Sequence, residues 1–294
     1  MPFLPVRIGQ NFLVSQTAHR ERKHLALHLY SMGLKELLKI PLSIRPLSRA
    51  KNNYIVTYHD ISPPGDPSYS KFYSTSPERF QTQVNFFSKY FELVSLGEIV
   101  GEKASRRPRL AISFDDGFIS VKKTAWPILK AAGAPFTVFV NRVAIETGSL
   151  DYGIGYSQLK VAPGVSSPYM SLTDIREMLN AGVDFGSHGA SHCILSECTE
   201  VELLSEIKGN ADFLRANLKV EIPFLAFPFG KKKHYSQQVV ASALAAGHKF
   251  LFSSNPSHFV TSNDVVKPRI SLLEEDERQL SFLFNRTLFK DIDL

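Results

Sequence analysis

Two adjacent carboxylates, Asp115 and Asp116, stand between a short apolar run and a glycine. The apolar run, Leu110 to Phe114, is typical of a buried strand. Two acids at the end of such a strand are costly for the fold, because each charge must be solvated or paired. One carboxylate could hold a metal ion while the other acts as a base. A solvated turn is the alternative, since Asp-Asp-Gly also favours turns.

Two histidines, His188 and His192, follow a second strand-like run, Val183 to Ser187. A spacing of four residues would place both imidazoles on the same face of a helical turn. Two histidines and one carboxylate form a common ligand set for a divalent metal ion. A histidine pair alone is more often structural or exposed. The two motifs together, each directly after a strand, favour a metal site.

Strands and helices alternate along the chain from residue 54 onward, which predicts a parallel sheet with helices outside it. Seven such βα units indicate an incomplete barrel, although an open doubly wound sheet fits the strand count as well. In a barrel the site lies where the strands end, and both motifs stand there. The predicted strands are 54–58, 110–114, 136–140, 183–187, 224–227, 249–253 and 267–271.

Basic residues are concentrated at the start of the chain. Residues 1–53 contain nine Lys or Arg and two acids, a balance of +7, whereas the whole chain of 294 residues carries +6 and the remainder therefore −1. A nucleic-acid enzyme usually carries basic residues around its site, so we expect no nucleic-acid partner. We divide the chain into a basic N-terminal extension, residues 1–50, and a main domain, residues 51–294.

The N-terminal extension also carries apolar residues that follow an imperfect helical spacing. A helix of this kind could pack on the main domain, which we favour, or lie on an anionic membrane surface. The chain has no apolar run of 18 residues and no clear secretory signal pattern. We therefore expect a cytoplasmic protein, with peripheral membrane association through residues 1–50 left open. The apolar residues are Leu25, Leu29, Met32, Leu34, Leu37 and Leu38.

The motif Ser113-Phe-Asp-Asp-Gly117, followed by Ser187-His-Gly-Ala-Ser-His192, resembles the polysaccharide deacetylases. This is the NodB-homology group, carbohydrate esterase family 4, and the resemblance extends over roughly residues 51–272. It implies a distorted, incomplete (β/α)7 barrel. By match, one divalent ion would be held by Asp116, His188 and His192. We expect this ion to be zinc, with cobalt or nickel as alternatives. Asp115 would be the general base.

A third motif, Phe227-Pro228-Phe229-Gly230, resembles the segment in which the family's residue after proline donates a backbone N–H to the oxyanion. By match this donor is Phe229, whose ring would line the substrate groove beside Pro228. The family often has an arginine here that orients the catalytic aspartate, but this chain has Ala226. We expect Arg269 to replace it beside Asp115, with a surface ion pair as the alternative.

The chain departs from the family pattern a second time at the general acid, because the family's late Leu-x-His motif is absent. The segment Val-Thr-Tyr-His59-Asp resembles the first strand of circularly permuted members, which supply the acid histidine from the front of the chain. The first and last strands of a nearly closed barrel are neighbours, so this exchange is geometrically feasible. We therefore favour His59 over His258 as the acid.

These patterns together predict a metal-dependent deacetylase acting on the N-acetyl group of an amino sugar. The substrate would be an oligosaccharide, a glycolipid or a glycan intermediate. A non-sugar amide hydrolase with the same metal site is one alternative. A catalytically dead carbohydrate-binding protein is another, although the intact set of Asp115, Asp116, His188 and His192 argues against it.

Overall fold

The structure is a computed structural model that describes residues 52–101, 105, 107–150, 168–254, 260–261 and 264–287. The N-terminal extension, residues 1–50, and the candidate acid His258 lie outside these ranges, so the expectations about them stay predictions. Within the described ranges, no helix is both long enough and apolar enough to span a membrane.

Nine of the strands in the described part of the chain form one sheet whose assigned strand pairs are all parallel. The strands are β1 (Asn53–Tyr58), β2 (Asp60–Ile61), β3 (Ser74–Thr75), β4 (Glu92–Leu93), β5 (Arg109–Phe114), β6 (Phe136–Val140), β7 (Asp184–Ser187), β8 (Phe224–Ala226), β9 (Phe250–Phe252), β10 (Val266–Lys267) and β11 (Ile270–Ser271). The main path runs β10-β9-β8-β7-β6-β5-β1-β11, β4 pairs with β5, and β2 with β3 forms a separate two-stranded sheet.

Helices follow most of the strands, as the alternating pattern predicts. They are α1 (Pro77–Tyr90), α2 (Leu96–Val100), α3 (Trp126–Ala131), α4 (Arg142–Thr147), α5 (Leu172–Asn180), α6 (Glu200–Leu203), α7 (Asn210–Leu218), α8 (Gln237–Ala245) and α9 (Glu277–Thr287). Several start at the caps that the sequence contains. Thr199 and Glu202 form a capping box at α6, and Pro77 occupies the first turn of α1.

The predicted last strand, 267–271, is wrong in one respect, because it is two short strands that pair with opposite edges of the sheet. Val266 pairs with Leu251 of β9, whereas Ile270 pairs with Val56 of β1. Pro268 lies between them and has no N–H to donate to a ladder, so continuous pairing ends there. The chain therefore bridges the two edges, and the sheet curls into the distorted, incomplete (β/α)7 barrel that the sequence predicts.

A cluster of aromatic side chains packs α1 and α9 against the start of β1. The rings of Tyr54, Phe91 and Phe284 meet at centroid distances of 4.9–5.7 Å, and all three side chains are buried. Large buried aromatic rings dominate the free energy of such a core. This core holds β1 and the last helix together, and so fixes the seam where the first and last strands meet.

Candidate active site

The carboxyl ends of neighbouring strands bring the predicted site residues together. Tyr58, the last residue of β1, pairs with Phe114 of β5, so His59 and Asp115 follow on adjacent strands. Asp115 donates its backbone N–H to the Tyr58 carbonyl at 2.9 Å, which continues this pairing by one residue. Further round the sheet, β7 ends at Ser187, and His188 follows it.

Asp116, His188 and His192 form a buried cluster. Asp116 Oδ1 lies 3.4 Å from His188 Nε2 and 3.3 Å from His192 Nε2. One ligand atom from each of the three residues lies within 4.8 Å of the other two, and each residue is at most 4% exposed. Among the described residues, this is the one group of three or more His, Cys, Asp or Glu side chains with such a geometry.

The two histidines do not share a helical turn, contrary to the sequence prediction. Residues 188–192 form a loop, and His192 has a left-handed backbone with φ of 64°. Asp116 and Phe229 have φ of 68° and 59°, so three of the four non-glycine residues with positive φ in the described ranges belong to the site. Such backbone costs about 1–3 kcal/mol per residue and persists only where surrounding contacts enforce it.

The donor set fits a divalent ion. Ligand atoms about 2.0–2.1 Å from a tetrahedral zinc ion lie about 3.4 Å apart, close to the two Asp116–histidine distances. His188 Nδ1 lies 2.9 Å from the carbonyl oxygen of Ala226, which can only accept, so Nδ1 carries the proton and Nε2 is available to a metal. Burial lowers the pKa of His188 to about 4, although the charge of Asp115 opposes this shift. The neutral, ligating form is therefore favoured at pH 7.

Asp115 is paired with Arg269. The two carboxylate oxygens accept from Nη1 and Nη2 of Arg269 at 2.7 Å each, and the guanidinium is completely buried. Arg269 also donates to the Ser253 carbonyl and to the hydroxyls of Thr57 and Ser113 at 3.2–3.3 Å. This arrangement is a buried bidentate pair rather than the surface ion pair considered as the alternative.

The Arg269 guanidinium also sets the protonation of Asp115. Burial by itself would raise the pKa of Asp115, but the charge and hydrogen bonds of Arg269, with the nearby His188, hold that pKa well below its usual range. Asp115 Oδ2 lies 3.9 Å from His188 Nε2, farther than the nearest Asp116 oxygen. The two adjacent carboxylates therefore have different neighbours, an arginine for Asp115 and two histidines for Asp116.

Phe229 lies against the histidine cluster, in the turn after β8. Its ring centroid is 4.6 Å from that of His192, and the side chain is half-buried. Pro228 is buried, and its carbonyl accepts from the Gly230 N–H at 2.7 Å in a tight turn. The left-handed Phe229 and Gly230 reverse the chain there. This places the backbone of Phe229 beside the cluster, where a donor to an oxyanion is expected.

His59 is half-buried, and its charge interacts with those of Asp115 and Arg269. Burial lowers the pKa of His59, and the charges of Asp115 and Asp60 act in the opposite direction. The positive charge of His59 would in turn lower the pKa of His188 and of His192. The structure thus gathers His59 with the other predicted residues, whereas its competitor His258 is not among the described residues.

Sequence reasoning missed the polar side chains that hold the histidine loop. Glu206, Asn141 and Asn210 are buried and contact residues 187–191 through their side chains. One signal was available: Glu206 and Asn210 each adjoin a buried apolar position of the same helical segment, Ile207 and Ala211. Polar residues beside an apolar stripe can indicate a buried polar contact.

A barrel with buried titratable groups gathered at the carboxyl ends of its strands has the architecture of an enzyme. The sequence model of the polysaccharide deacetylase family matches residues 102–251, about half of the chain, and the protein belongs to that family. It is accordingly a hydrolase of carbon–nitrogen bonds that acts on N-acetyl groups. The matched range includes Asp115 to Phe229 but neither His59 nor Arg269. No curated protein sequence matches the chain significantly.

Solved structures with this fold include several deacetylases. The deacetylase PplD of Streptococcus pyogenes, in complex with acetate, is 20% identical, with a TM-score of 0.64 over 78% of this chain and 96% of that one. A de-N-acetylase from Aggregatibacter actinomycetemcomitans is 15% identical, with a TM-score of 0.63 over 79% and 99%. IcaB from Ammonifex degensii is 17% identical, with a TM-score of 0.62 over 80% and 97%. These likenesses define the fold.

Proposed function

We propose that the protein is a metal-dependent deacetylase that hydrolyses the N-acetyl group of an amino sugar in an oligosaccharide, glycolipid or glycan intermediate. The observation that carries the proposal is the buried cluster of Asp116, His188 and His192 beside the Asp115–Arg269 pair. Membership of the polysaccharide deacetylase family supports the choice of a glycan. The cytoplasmic location and the membrane contact through residues 1–50 remain predictions from the sequence.

The two carboxylates of the motif have separate tasks in this proposal. Asp116 joins His188 and His192 as a ligand of one divalent ion, zinc in the first place. An ion held there supplies Lewis acidity, which activates water and polarises an acyl oxygen. Asp115 keeps its oxygens for Arg269 and for the attacking water, whose proton it accepts. The bidentate contact with Arg269 fixes the plane of the carboxylate, so that its orientation is set before the substrate binds.

Two further groups complete the reaction. The backbone N–H of Phe229 donates to the oxygen that gains negative charge as water adds to the acyl carbon. His59 protonates the nitrogen of the departing sugar amine, because an amine cannot leave as an anion. The products are acetate and a free amino group on the sugar. The ring of Phe229 packs beside His192 and contacts the acetyl group of the bound substrate.

The test is acetate release from a panel of N-acetylhexosamine glycans. The protein is stripped with a chelator, then reloaded with Zn²⁺, Co²⁺ or Ni²⁺, and both acetate and new amines are counted. We expect release that depends on the ion and is lost in Asp115→Asn. Turnover of non-sugar amides alone would overturn the assignment to sugars. A protein that binds the ion but turns over neither class would be a binding protein with a dead site.

A further inference from the structure

We propose that Glu206 is a positioning residue that fixes the loop between the two ligand histidines and thereby sets the affinity for the metal ion. One oxygen of Glu206, Oε2, accepts the backbone N–H groups of Ala190 and Ser191, at 2.9 Å each. The other oxygen, Oε1, accepts the hydroxyl of Ser191 at 2.6 Å. The carboxylate therefore binds the two residues that stand directly before His192. The inference rests on the proposed metal-dependent function.

A second side chain that contacts the loop, Asn141, binds loop carbonyls rather than these two N–H groups. Asn141 donates to the carbonyls of His188 and Gly189, at 2.6 and 3.0 Å, and therefore holds acceptors rather than donors. Asn210 contacts the Ser187 hydroxyl at 2.8 Å, at the end of β7. Ala190 accepts from the backbone N–H of Val143 at 2.9 Å. Glu206 thus supplies the acceptors for the second half of the loop, Asn141 holds its first half, and Asn210 holds the strand end before it.

The local backbone is shaped for this contact. Gly189 has φ of +74°, and a Cβ atom there would lie 3.3 Å from both Glu206 Oε2 and Pro228 Cγ. Glu206 itself lies in a π-helical turn, Leu204–Gly209, between α6 and α7. Such turns interrupt the regular ladder and are frequent at functional sites. The turn places Glu206 against the loop, and Asn210, four residues later, against the end of β7 that precedes the loop.

The consequence for the metal site follows from His192. Its left-handed backbone, with φ of 64°, is costly and needs the preceding residues to be held in place. Two consecutive N–H groups that converge on one carboxylate oxygen form a concave anion site in the backbone, and a neutral group fills such a site less well. When a neutral glutamine replaces Glu206, the loop relaxes and His192 Nε2 no longer stays 3.3 Å from Asp116 Oδ1. The ion then loses its third ligand for part of the time.

The test measures metal affinity rather than turnover. Metal-free wild type, Glu206→Gln and Glu200→Gln are titrated with Zn²⁺ in competition with a chelator of known affinity. Glu200 is exposed and lies on the same helical segment, so Glu200→Gln is the matched control. We expect Zn²⁺ to bind Glu206→Gln about 10–100-fold more weakly. This is the usual cost of removing a residue that orients the metal ligands without binding the metal itself. The control should bind as the wild type does, and excess Zn²⁺ should restore occupancy in Glu206→Gln.

A loss of thermal stability in Glu206→Gln with unchanged Zn²⁺ affinity would show a purely structural role and overturn the inference. Wild-type protein that binds no divalent ion would instead overturn the proposed metal site, so the two failures are distinguishable. If Glu206→Gln does not fold, Ser191→Ala decides, since it removes the contact to Oε1 and keeps both backbone contacts to Oε2. We expect about fivefold weaker Zn²⁺ binding in that variant, the worth of one hydrogen bond, and wild-type affinity would refute the inference.

Discussion

Arg269 reaches Asp115 across the seam of the barrel, from the gap between the two halves of the last strand. The contact is bidentate, with both N···O distances at 2.7 Å, and the two residues are separated by 154 positions in the sequence. Arg269 is placed there because Pro268 stops strand pairing just before it. The interruption of the strand at Pro268 therefore places Arg269 where it can pair with Asp115.

Loss of this arginine should destabilise the protein strongly. In Arg269→Met the Asp115 carboxylate would stay buried without its partner, and removing one member of a buried pair costs about 3–5 kcal/mol. Denaturant unfolding of the metal-free protein measures the change. The double variant Arg269→Met with Asp115→Leu should lose less stability than the sum of the single changes. Additive losses would mean that the two side chains do not interact.

The two carboxylates of the motif should differ in metal binding. Asp116→Ala and His188→Ala should lose both the ion and the activity, because each removes one of three ligands. Asp115→Asn should keep about one ion per chain and lose turnover, since it removes the base and leaves the ligand set intact. Metal analysis of the purified variants, beside the acetate assay, checks this. Loss of the ion in Asp115→Asn would make Asp115 a ligand.

His59→Ala should fold, keep its ion and lose roughly 10²–10⁴ in rate on an N-acetyl amide, the usual worth of a general acid. It should lose less on an activated ester, whose leaving group needs little protonation. The comparison of the two substrates separates an acid from a structural histidine, for which both rates would fall equally. His258→Ala is the companion variant. A large loss there, with none in His59→Ala, would transfer the acid role to His258.

Acid should destabilise the protein in a defined pH window through His248, which is 1% exposed. Burial lowers the pKa of His248 from 6.5 to about 4, against the hydrogen bond of its Nδ1 to the Ile222 carbonyl. Because the unfolded chain takes up this proton first as pH falls, stability is complete above about 6.5 and declines toward pH 4. The full loss from this one group is about 3 kcal/mol.

The variant His248→Gln isolates that contribution. Its unfolding free energy should depend less steeply on pH between 6.5 and 4 than that of the wild type, by up to one proton. Both proteins are measured metal-free, so that the buried histidines of the site contribute equally to each curve. Parallel curves over this range would show that His248 keeps its ordinary pKa in the folded protein.

The sequence by itself determined the local parts of this protein. Apolar runs bounded by Asp115 and His188 predicted the strands and the positions of the site residues at their ends. Capping residues such as Thr199 are local signals in the chain that mark where helices begin. The family motifs predicted the cluster of Asp116, His188 and His192, which the structure brings together in space. These signals are readable because strand period, capping and ligand chemistry depend on neighbours in the chain.

Only the tertiary structure decided how distant segments complete the site. The sequence predicted Arg269 beside Asp115, but only the packing of the closed barrel decided that the contact is a buried bidentate pair rather than a surface ion pair. The contact of Glu206 with the loop before His192 requires a helix to dock on that loop. The loop itself departs from the helical turn that the histidine spacing suggested, because its backbone N–H groups are bound by the Glu206 carboxylate rather than by a helical ladder. Long-range packing selects among the conformations that local sequence allows.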